Sequence, residues 1–386
     1  MHTLIVITAV IILVVTCFSV ADLFYGMKSM RRLSVIEALQ SSVQPMVSVI
    51  MPACNEEANI ESAVISQLAQ LYDNLEVIVI NDRSTDATAS VLQKLQKKYR
   101  QLIVLHVDSL PQNWMGKAHA LQLGAEKARG EYLLFTDGDI IMEKNTIARA
   151  VRYMVDERLD HLCLIFKNIS SGWLLNSLIL DSGAALFQIF RPWLARKKAY
   201  NFIGVGAFNM IKKSAYTAIN RHEEIKMHPI DDIMLGKLIK RKGFSQECLM
   251  APDLVAVPWY GNITEMINGL MKNVLAIINY RFYLLIPMVC GMILLNILPL
   301  WMAVFTNGFD QLLWVLIICI KIAGFYSGTR VLAISPWCAL GTLVTPYLSL
   351  FIVIRAAWCN LKDDGIVWRG THYPLEKLRE NEPILP

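Results

Sequence analysis

The sequence has no Cys-x-x-Cys pair, no internal repeat, no low-complexity tract and few charged residues. Its eight cysteines, Cys17, Cys54, Cys163, Cys248, Cys290, Cys319, Cys338 and Cys359, are scattered. Half lie in apolar runs, where a thiol behaves as a small hydrophobe. This argues against a zinc site and a disulfide framework, and suits a reducing compartment. The formal net charge is only +5, and no basic stripe is interleaved with aromatics, so no nucleic-acid partner is expected. No positively charged segment precedes the apolar run Thr3–Val20, and no small-residue cleavage site follows it. The basic residues Lys28, Arg31 and Arg32 come afterwards. That order reads as an uncleaved anchor over residues 1–26, with its N-terminus outside and the following chain in the cytoplasm.

What is abundant is apolar. Of 386 residues, 55% are hydrophobic and 18% charged, and the mean hydropathy is +0.42. Such a chain calls for membrane segments. Leu284–Phe305, Leu312–Ile334 and Trp337–Trp358 are each long enough to span, giving a C-terminal region over 284–358. Lys321 lies inside the second of these, either as a functional charge or as a snorkelling or paired one. The polar tail, 359–386, carries Lys362, Arg369, Lys377 and Arg379, which favour the cytoplasm, yet four full spans would place it outside. One re-entrant or interfacial C-terminal segment would resolve that conflict. Trp173–Leu194 is apolar but interrupted by Asp181, Gln188 and Arg191, which points to a buried or interfacial helix.

Between these regions the pattern is that of an α/β domain. Val47–Met51, Glu76–Ile80, Leu102–Val107 and Tyr132–Phe135 are short apolar runs. They alternate with helix-like segments Ile60–Gln70, Ala87–Tyr99 and Ala118–Ala128. The expectation is a mostly parallel sheet with helices on both faces. Ligands bind such sheets beyond the C-terminal ends of the strands, so the residues just after each run carry the chemistry.

Asp137-Gly138-Asp139 follows the fourth run. Two carboxylates one residue apart in a tight turn can converge on a hard cation such as Mg²⁺ or Mn²⁺, although a solvated Asp-Gly turn has the same sequence. Pro52-Ala53-Cys54-Asn55-Glu56-Glu57 follows the first run, where a carboxylate can hydrogen-bond a nucleotide, or Asn55, Glu56 and Glu57 can cap the next helix and complement its dipole. Asn81-Asp82-Arg83-Ser84-Thr85-Asp86 follows the second. Ser84 or Thr85 can cap a helix with Asp86 in its first turn, which leaves Asp82 unexplained and placed to meet a base or ribose. Trp114-Met115-Gly116-Lys117 opens a helix, where Lys117 suits a phosphate or is an ordinary surface lysine. Asp231-Asp232 opens another helix, as dipole complement or as a proton acceptor.

Together, in this order, these motifs resemble the family 2 glycosyltransferases of the nucleotide-diphospho-sugar transferase (GT-A) fold, over about Val47 to Ala276. The flanking apolar segments resemble the membrane branch of that family, which includes ceramide glucosyltransferases, hopanoid-associated glycosyltransferases and the carotenoid-acid glycosyltransferases of the staphyloxanthin pathway. The tail Trp368-Arg369-Gly370-Thr371-His372-Tyr373 resembles a Trp-(Arg/Lys)-Gly-x-x-Tyr element of that branch.

The resemblance implies a GT-A domain over 46–280 and a nucleotide-sugar donor whose pocket is lined by Pro52, Glu56 and Asp82. It implies a metal and sugar diphosphate at Asp137 and Asp139, Asp232 of the Asp231-Asp232 pair as general base, and an acceptor-bordering loop at Gly204 and Gly206. The Gln-x-x-Arg-Trp motif of processive members is replaced by Gly269-Leu270-Met271-Lys272-Asn273. This favours transfer of one sugar to a lipid over polymer synthesis, with Lys272, Trp368 and Arg369 on the acceptor side. The implied protein is a multi-pass cell-membrane enzyme with a cytoplasmic catalytic domain. Retention of Asp137, Asp139 and Asp232 favours an active enzyme over a silent nucleotide-sugar-binding scaffold.

Overall fold

The computed structural model describes residues 2–38 and 44–385, and the chain falls into two compact units. One comprises Met30–Ile169 and Pro192–Pro258; the other comprises Met1–Ser29, Ser170–Arg191 and Trp259–Pro386.

The first unit is the α/β domain. Its strands are β1 (Val47–Ala53), β2 (Leu75–Asp82), β3 (Leu102–Val107), β4 (Tyr132–Phe135), β5 (Ile141–Met142), β6 (His161–Ile165), β7 (Lys167–Asn168), β8 (Asn209–Lys212), β9 (Gln246–Met250) and β10 (Val255–Val257). Seven of them form one sheet in the order β3-β2-β1-β4-β8-β6-β9. β1 pairs in parallel with both β2 and β4, β2 with β3, and β6 with β9. β8 runs antiparallel to both β4 and β6. The Val- and Ile-rich runs of β1 and β2 are buried almost throughout, as strands covered on both faces must be.

Two polar residues in that core form a closed set. Ser48 on β1 donates to Glu76 on β2 at 2.5 Å, and Glu76 also accepts from the Arg129 backbone N–H at 2.7 Å and from its Nε at 3.0 Å. Burial alone would push the Glu76 carboxyl up, but the hydrogen bonds from Ser48 and Arg129 outweigh it and hold the pKa below its ordinary value.

Helices Ile60–Leu68, Thr88–Lys98 and Gly116–Lys127 connect β1 to β4, each within a few residues of its expected bounds. Their capping differs from expectation. Neither Ser84 nor Thr85 caps the helix that follows them, whose N-cap is Ala87; Asp86 accepts from Thr88 N at 3.0 Å. Asn55 and Glu57 serve the neighbouring loop, not their own helix. Asn55 Oδ1 accepts from Thr85 N and Glu57 Oε2 from Ala87 N, both at 2.8 Å. In return the Asn55 and Glu57 backbone N–H groups donate to Ser84 Oγ and Asp86, each at 3.1 Å. The loops after β1 and β2 are thus locked to each other.

The second unit is helical. Among the described residues, four helical segments are long and apolar enough to cross a membrane: His2–Ser29, Trp173–Leu194, Phe282–Phe305 and Gly308–Leu332. Trp173–Leu194 meets that measure by length and composition, and it links the two stretches of the α/β unit, Met30–Ile169 and Pro192–Pro258; Asp181 and Arg191 within it have partners. Asp181 accepts from Ser349 Oγ at 2.8 Å, and Arg191 grips Asp22 through Nε at 3.0 Å and a second guanidinium nitrogen. Trp337–Trp358 is not one straight helix: Pro336–Leu343 and Thr345–Lys362 meet at a 61° bend, the geometry of a broken span or a re-entrant loop.

Lys321 has a structural explanation. It donates to the Leu295 carbonyl and, at 3.0 Å, to Asn296 Oδ1. Pro299, four residues after Leu295, has no N–H to offer that carbonyl, and the helix is locally π-wound over Ile293–Ile297. The tail forms a hairpin of β11 (Gly365–Trp368) and β12 (Thr371–Pro374). Its two turn residues, Arg369 and Gly370, have φ of 48° and 78°, as a tight two-residue hairpin requires.

Candidate active site

Because β1, β2 and β4 are parallel, their C-terminal ends share one edge of the sheet. β8 runs the other way, so its start, Asn209, lies beside Phe135 at that same edge. The segment leading into β8 is stitched to the end of β4: Asp137 N donates to the Gly206 carbonyl at 3.1 Å, and Thr136 Oγ1 to the Ala207 carbonyl at 2.8 Å. The helix Asp231–Arg241 begins at this edge with both of its acids.

These elements line a recess that includes Lys117, Asp137, Gly206, His222, Asp231 and Asp232. Lys117 Nζ lies 2.6 Å from Asp137 Oδ1 and 3.8 Å from Asp231 Oδ1. Burial disfavours its charge, but Asp137, Asp231 and Asp232 outweigh burial and raise its pKa, so it stays cationic. Asp232 Oδ2 accepts from Gly206 N at 2.8 Å, and Oδ1 from Ile233 N at 2.9 Å. Burial first, and then the neighbouring Asp231, raise the Asp232 pKa above the ordinary aspartate value, with Lys117 opposing.

The glycines of this loop are required by space. A Cβ at Gly204 would lie 1.7 Å from the Asp232 carbonyl oxygen, and one at Gly206 would lie 2.6 Å from Asp137 Oδ2. Behind the loop, Gln246 ties its base to the acid-bearing helix. Its Oε1 accepts from Ile203 N at 2.9 Å, and its Nε2 lies 3.2 Å from the Gly236 carbonyl and 2.7 Å from His161 Nδ1. Burial lowers the His161 pKa to about 4, and this neutral imidazole holds Asn209 through its other nitrogen.

On the β2 side, Arg83 pairs with Asp82 at 2.7 Å and 3.0 Å. A Cβ at Gly116 would lie 2.4 Å from Asp82, so that glycine allows the helix bearing Lys117 to approach. Gly138 likewise admits the Pro52 carbonyl, 3.0 Å from where its Cβ would be. Glu56 N donates to Thr88 Oγ1 at 2.8 Å.

Asp139 tests whether a cation suits the site. Burial first, and then the like charges of Asp137 and Glu56, raise its pKa to about 7. This concentration of carboxylates in a shielded position fits a divalent cation. No group of three or more His, Cys, Asp or Glu side chains able to hold a metal occurs among the described residues.

The expected residues therefore divide. Lys117, Asp137, Asp231, Asp232 and Gly206 line one recess, with Gly204 packed on the backbone of Asp232. Lys272, Trp368 and Arg369 belong to the helical unit. There Lys272 Nζ sits 4.1 Å from the centre of the Trp368 ring, a cation–π contact between the helix Ile263–Val274 and the tail hairpin. Two recess residues, Asn209 and His222, carry no motif in the sequence. Asn209 opens β8, which carries no acid, and His222 precedes Glu223-Glu224 in a short helical turn.

Residues 48–219 match the family model described as Glycosyl transferase family 2. An uncharacterized glycosyltransferase of Haemophilus influenzae is 31% identical over 30% of this chain and 44% of its own length. A 4,4'-diaponeurosporenoate glycosyltransferase of Staphylococcus haemolyticus is 25% identical over 50% of this chain and 52% of its own. In both cases the matched stretch spans about half the relative or less. The mannosyltransferase PcManGT of Pyrobaculum calidifontis, solved with GDP-Man and Mn²⁺, shares the fold, with a TM-score of 0.53 and 18% identity over 93% of this chain and 99% of that one. The α/β unit is a GT-A-like glycosyltransferase fold with a mostly parallel central sheet.

Proposed function

We propose that this protein is a membrane-bound, inverting glycosyltransferase that moves one sugar from a nucleotide-sugar to a lipid hydroxyl. The observation that carries this reading is the convergence of Lys117, Asp137, Asp231 and Asp232 on one recess closed by the 204–206 loop. Support comes from the family 2 match, from a relative named for a carotenoid-acid acceptor, and from a fold neighbour solved with a sugar nucleotide and Mn²⁺.

Asp232 takes the proton of the acceptor hydroxyl as its oxygen attacks the anomeric carbon. The bond to the nucleoside diphosphate breaks on the opposite face. Burial and Asp231 make Asp232 a stronger base than an ordinary aspartate, and the Gly206 and Ile233 N–H groups fix its orientation. Lys117 is a fixed cation beside the diphosphate. Pro52, Glu56 and Asp82 line the nucleotide pocket. A divalent cation at Asp137 and Asp139, Mg²⁺ or Mn²⁺, supplies charge neutralisation for the departing diphosphate.

Residues 1–26 anchor the chain, 46–280 form the catalytic domain on the cytoplasmic face, and 284–358 hold the lipid acceptor in the membrane, where it is concentrated and oriented. A re-entrant segment at 336–362, one of the two geometries its 61° bend fits, keeps the basic tail 359–386 in the cytoplasm. Lys272, Trp368 and Arg369 meet the acceptor.

The test is nucleoside diphosphate release by the purified protein in detergent, with a panel of nucleotide-sugars, Mg²⁺ or Mn²⁺ and a total lipid extract. Lipid-dependent release from one donor, lost in Asp232→Asn with donor binding retained, is the expected result. Normal turnover in that variant refutes the base assignment, and release with no lipid requirement refutes the lipid acceptor.

A further inference from the structure

His222 is 1% exposed, lies outside every motif of the sequence, and lines the recess with Lys117, Asp137, Asp231 and Asp232. Its ring is clamped. Tyr216 Oη lies 2.5 Å from Nδ1, and Phe135 meets the imidazole edge-on at 5.0 Å between ring centres. The His222 backbone N–H is shared between Tyr216 Oη and Gln122 Oε1, each at 3.2 Å.

Tyr216 has a single hydroxyl proton and two candidate acceptors, Nδ1 at 2.5 Å and Gln122 Oε1 at 3.4 Å. The shorter contact takes it. Nδ1 is then the acceptor, and the ring proton sits on Nε2. Among the described residues the hydrogen bonds of His222 run through Nδ1 and the backbone N–H, and none through Nε2. Burial, and secondarily the charge of Lys117, lower the His222 pKa to about 3, so the ring is neutral.

A neutral N–H donor is thus built into a recess that also holds one ammonium, three carboxyl groups, the Asn209 amide and the Thr136 hydroxyl. With the diphosphate taken by Lys117, a hydroxyl of the sugar suits the rest of this lining: its oxygen accepts from Nε2–H while its proton goes to a carboxylate. We propose that His222 binds a hydroxyl of the transferred sugar and sets which hexose the enzyme accepts, with Tyr216 as the positioning residue that fixes its tautomer. This deepens the transferase reading and rests on it.

The experiment compares the full-length protein with His222→Phe, His222→Gln and Tyr216→Phe in detergent. Calorimetry gives affinities for the nucleotide-sugar and for its parent nucleoside diphosphate, and initial rates are measured with the parent donor and its monodeoxy analogues. A site that hydrogen-bonds a hydroxyl rejects the analogue lacking it. His222→Phe should therefore lower kcat/KM for the parent donor by roughly 10- to 100-fold, with nucleoside diphosphate affinity unchanged. One monodeoxy donor should react equally with the wild type and with His222→Phe. Gln, which can still donate, should recover part of the loss, and Tyr216→Phe should show a partial loss confined to the same hydroxyl.

The proposal is overturned if His222→Phe discriminates among all the monodeoxy donors as the wild type does. It is also overturned if nucleoside diphosphate affinity falls in step with that of the nucleotide-sugar, because Nε2 would then serve a phosphate. If the wild type binds donors and turns over none, the transferase reading fails. The affinity difference between nucleotide-sugar and nucleoside diphosphate, compared across the variants, still decides the role of His222.

Discussion

Replacing Gly204 by Ala tests the construction of the site at its tightest point. The added Cβ would sit 1.7 Å from the Asp232 carbonyl oxygen and 2.2 Å from its carbonyl carbon. Ordinary carbon–oxygen contact is about 3.4 Å, so loop and helix must separate by roughly 1.5 Å. Both obstructing atoms are backbone, and no rotamer change relieves them. The same separation breaks the bond from Gly206 N to Asp232 Oδ2, now 2.8 Å.

Overpacking of this kind costs about 3 kcal/mol. In a domain of about 200 residues that lowers Tm by roughly 6–12 °C. A displacement of about 1 Å at a reacting group costs about 100-fold in rate, so kcat should fall by that factor or more. Gly183→Ala is the control: nothing lies within 4 Å of its Cβ position, and it sits within the helix Trp173–Phe190. The assays are the melting temperature in detergent and the rate of nucleoside diphosphate release. Wild-type activity and Tm in Gly204→Ala would refute the packing described for the loop.

Two further outcomes can be checked by melting curves. Glu76→Gln should lose about 2 kcal/mol near pH 7, because the Ser48 and Arg129 donors face a neutral amide. The folded carboxyl titrates below its ordinary value of 4.5, so its contribution is complete above that pH and is lost as pH falls through the folded pKa. The gap between wild type and variant should therefore narrow as the pH is taken below 4.5; a gap independent of pH would contradict it. In the helical unit, Lys321→Met should destabilise by about 1–3 kcal/mol by stranding the Leu295 carbonyl. Pro299→Ala restores the missing N–H and should reduce that loss in the double variant. Strict additivity of the two changes would show that Lys321 does something other than satisfy the carbonyl.

Much of the fold was legible in the chain because it is local. Val47–Ala53 and Leu75–Asp82 are runs that only a sheet buried on both faces accommodates, and the helices between them follow their own periodicity. The apolar stretches announced their length, and Asp137, Asp139 and Asp232 stood where strands and helices end. Partnership was not legible. Asn55 and Glu57 read as caps of their own helix, yet they hold the loop after β2, because the one-to-one pairing of β1 with β2 brings those loops side by side. Nothing near Gly204 indicates that it packs on the backbone of a residue 28 positions later, or that Lys117 faces Asp231. His222 has no local signal at all. Composition and periodicity record how each residue meets water, and that alone determined the elements and the motif-bearing loops. Which side chains converge on the recess depends on strand order, register and the antiparallel turn of β8, and only the tertiary structure decided it.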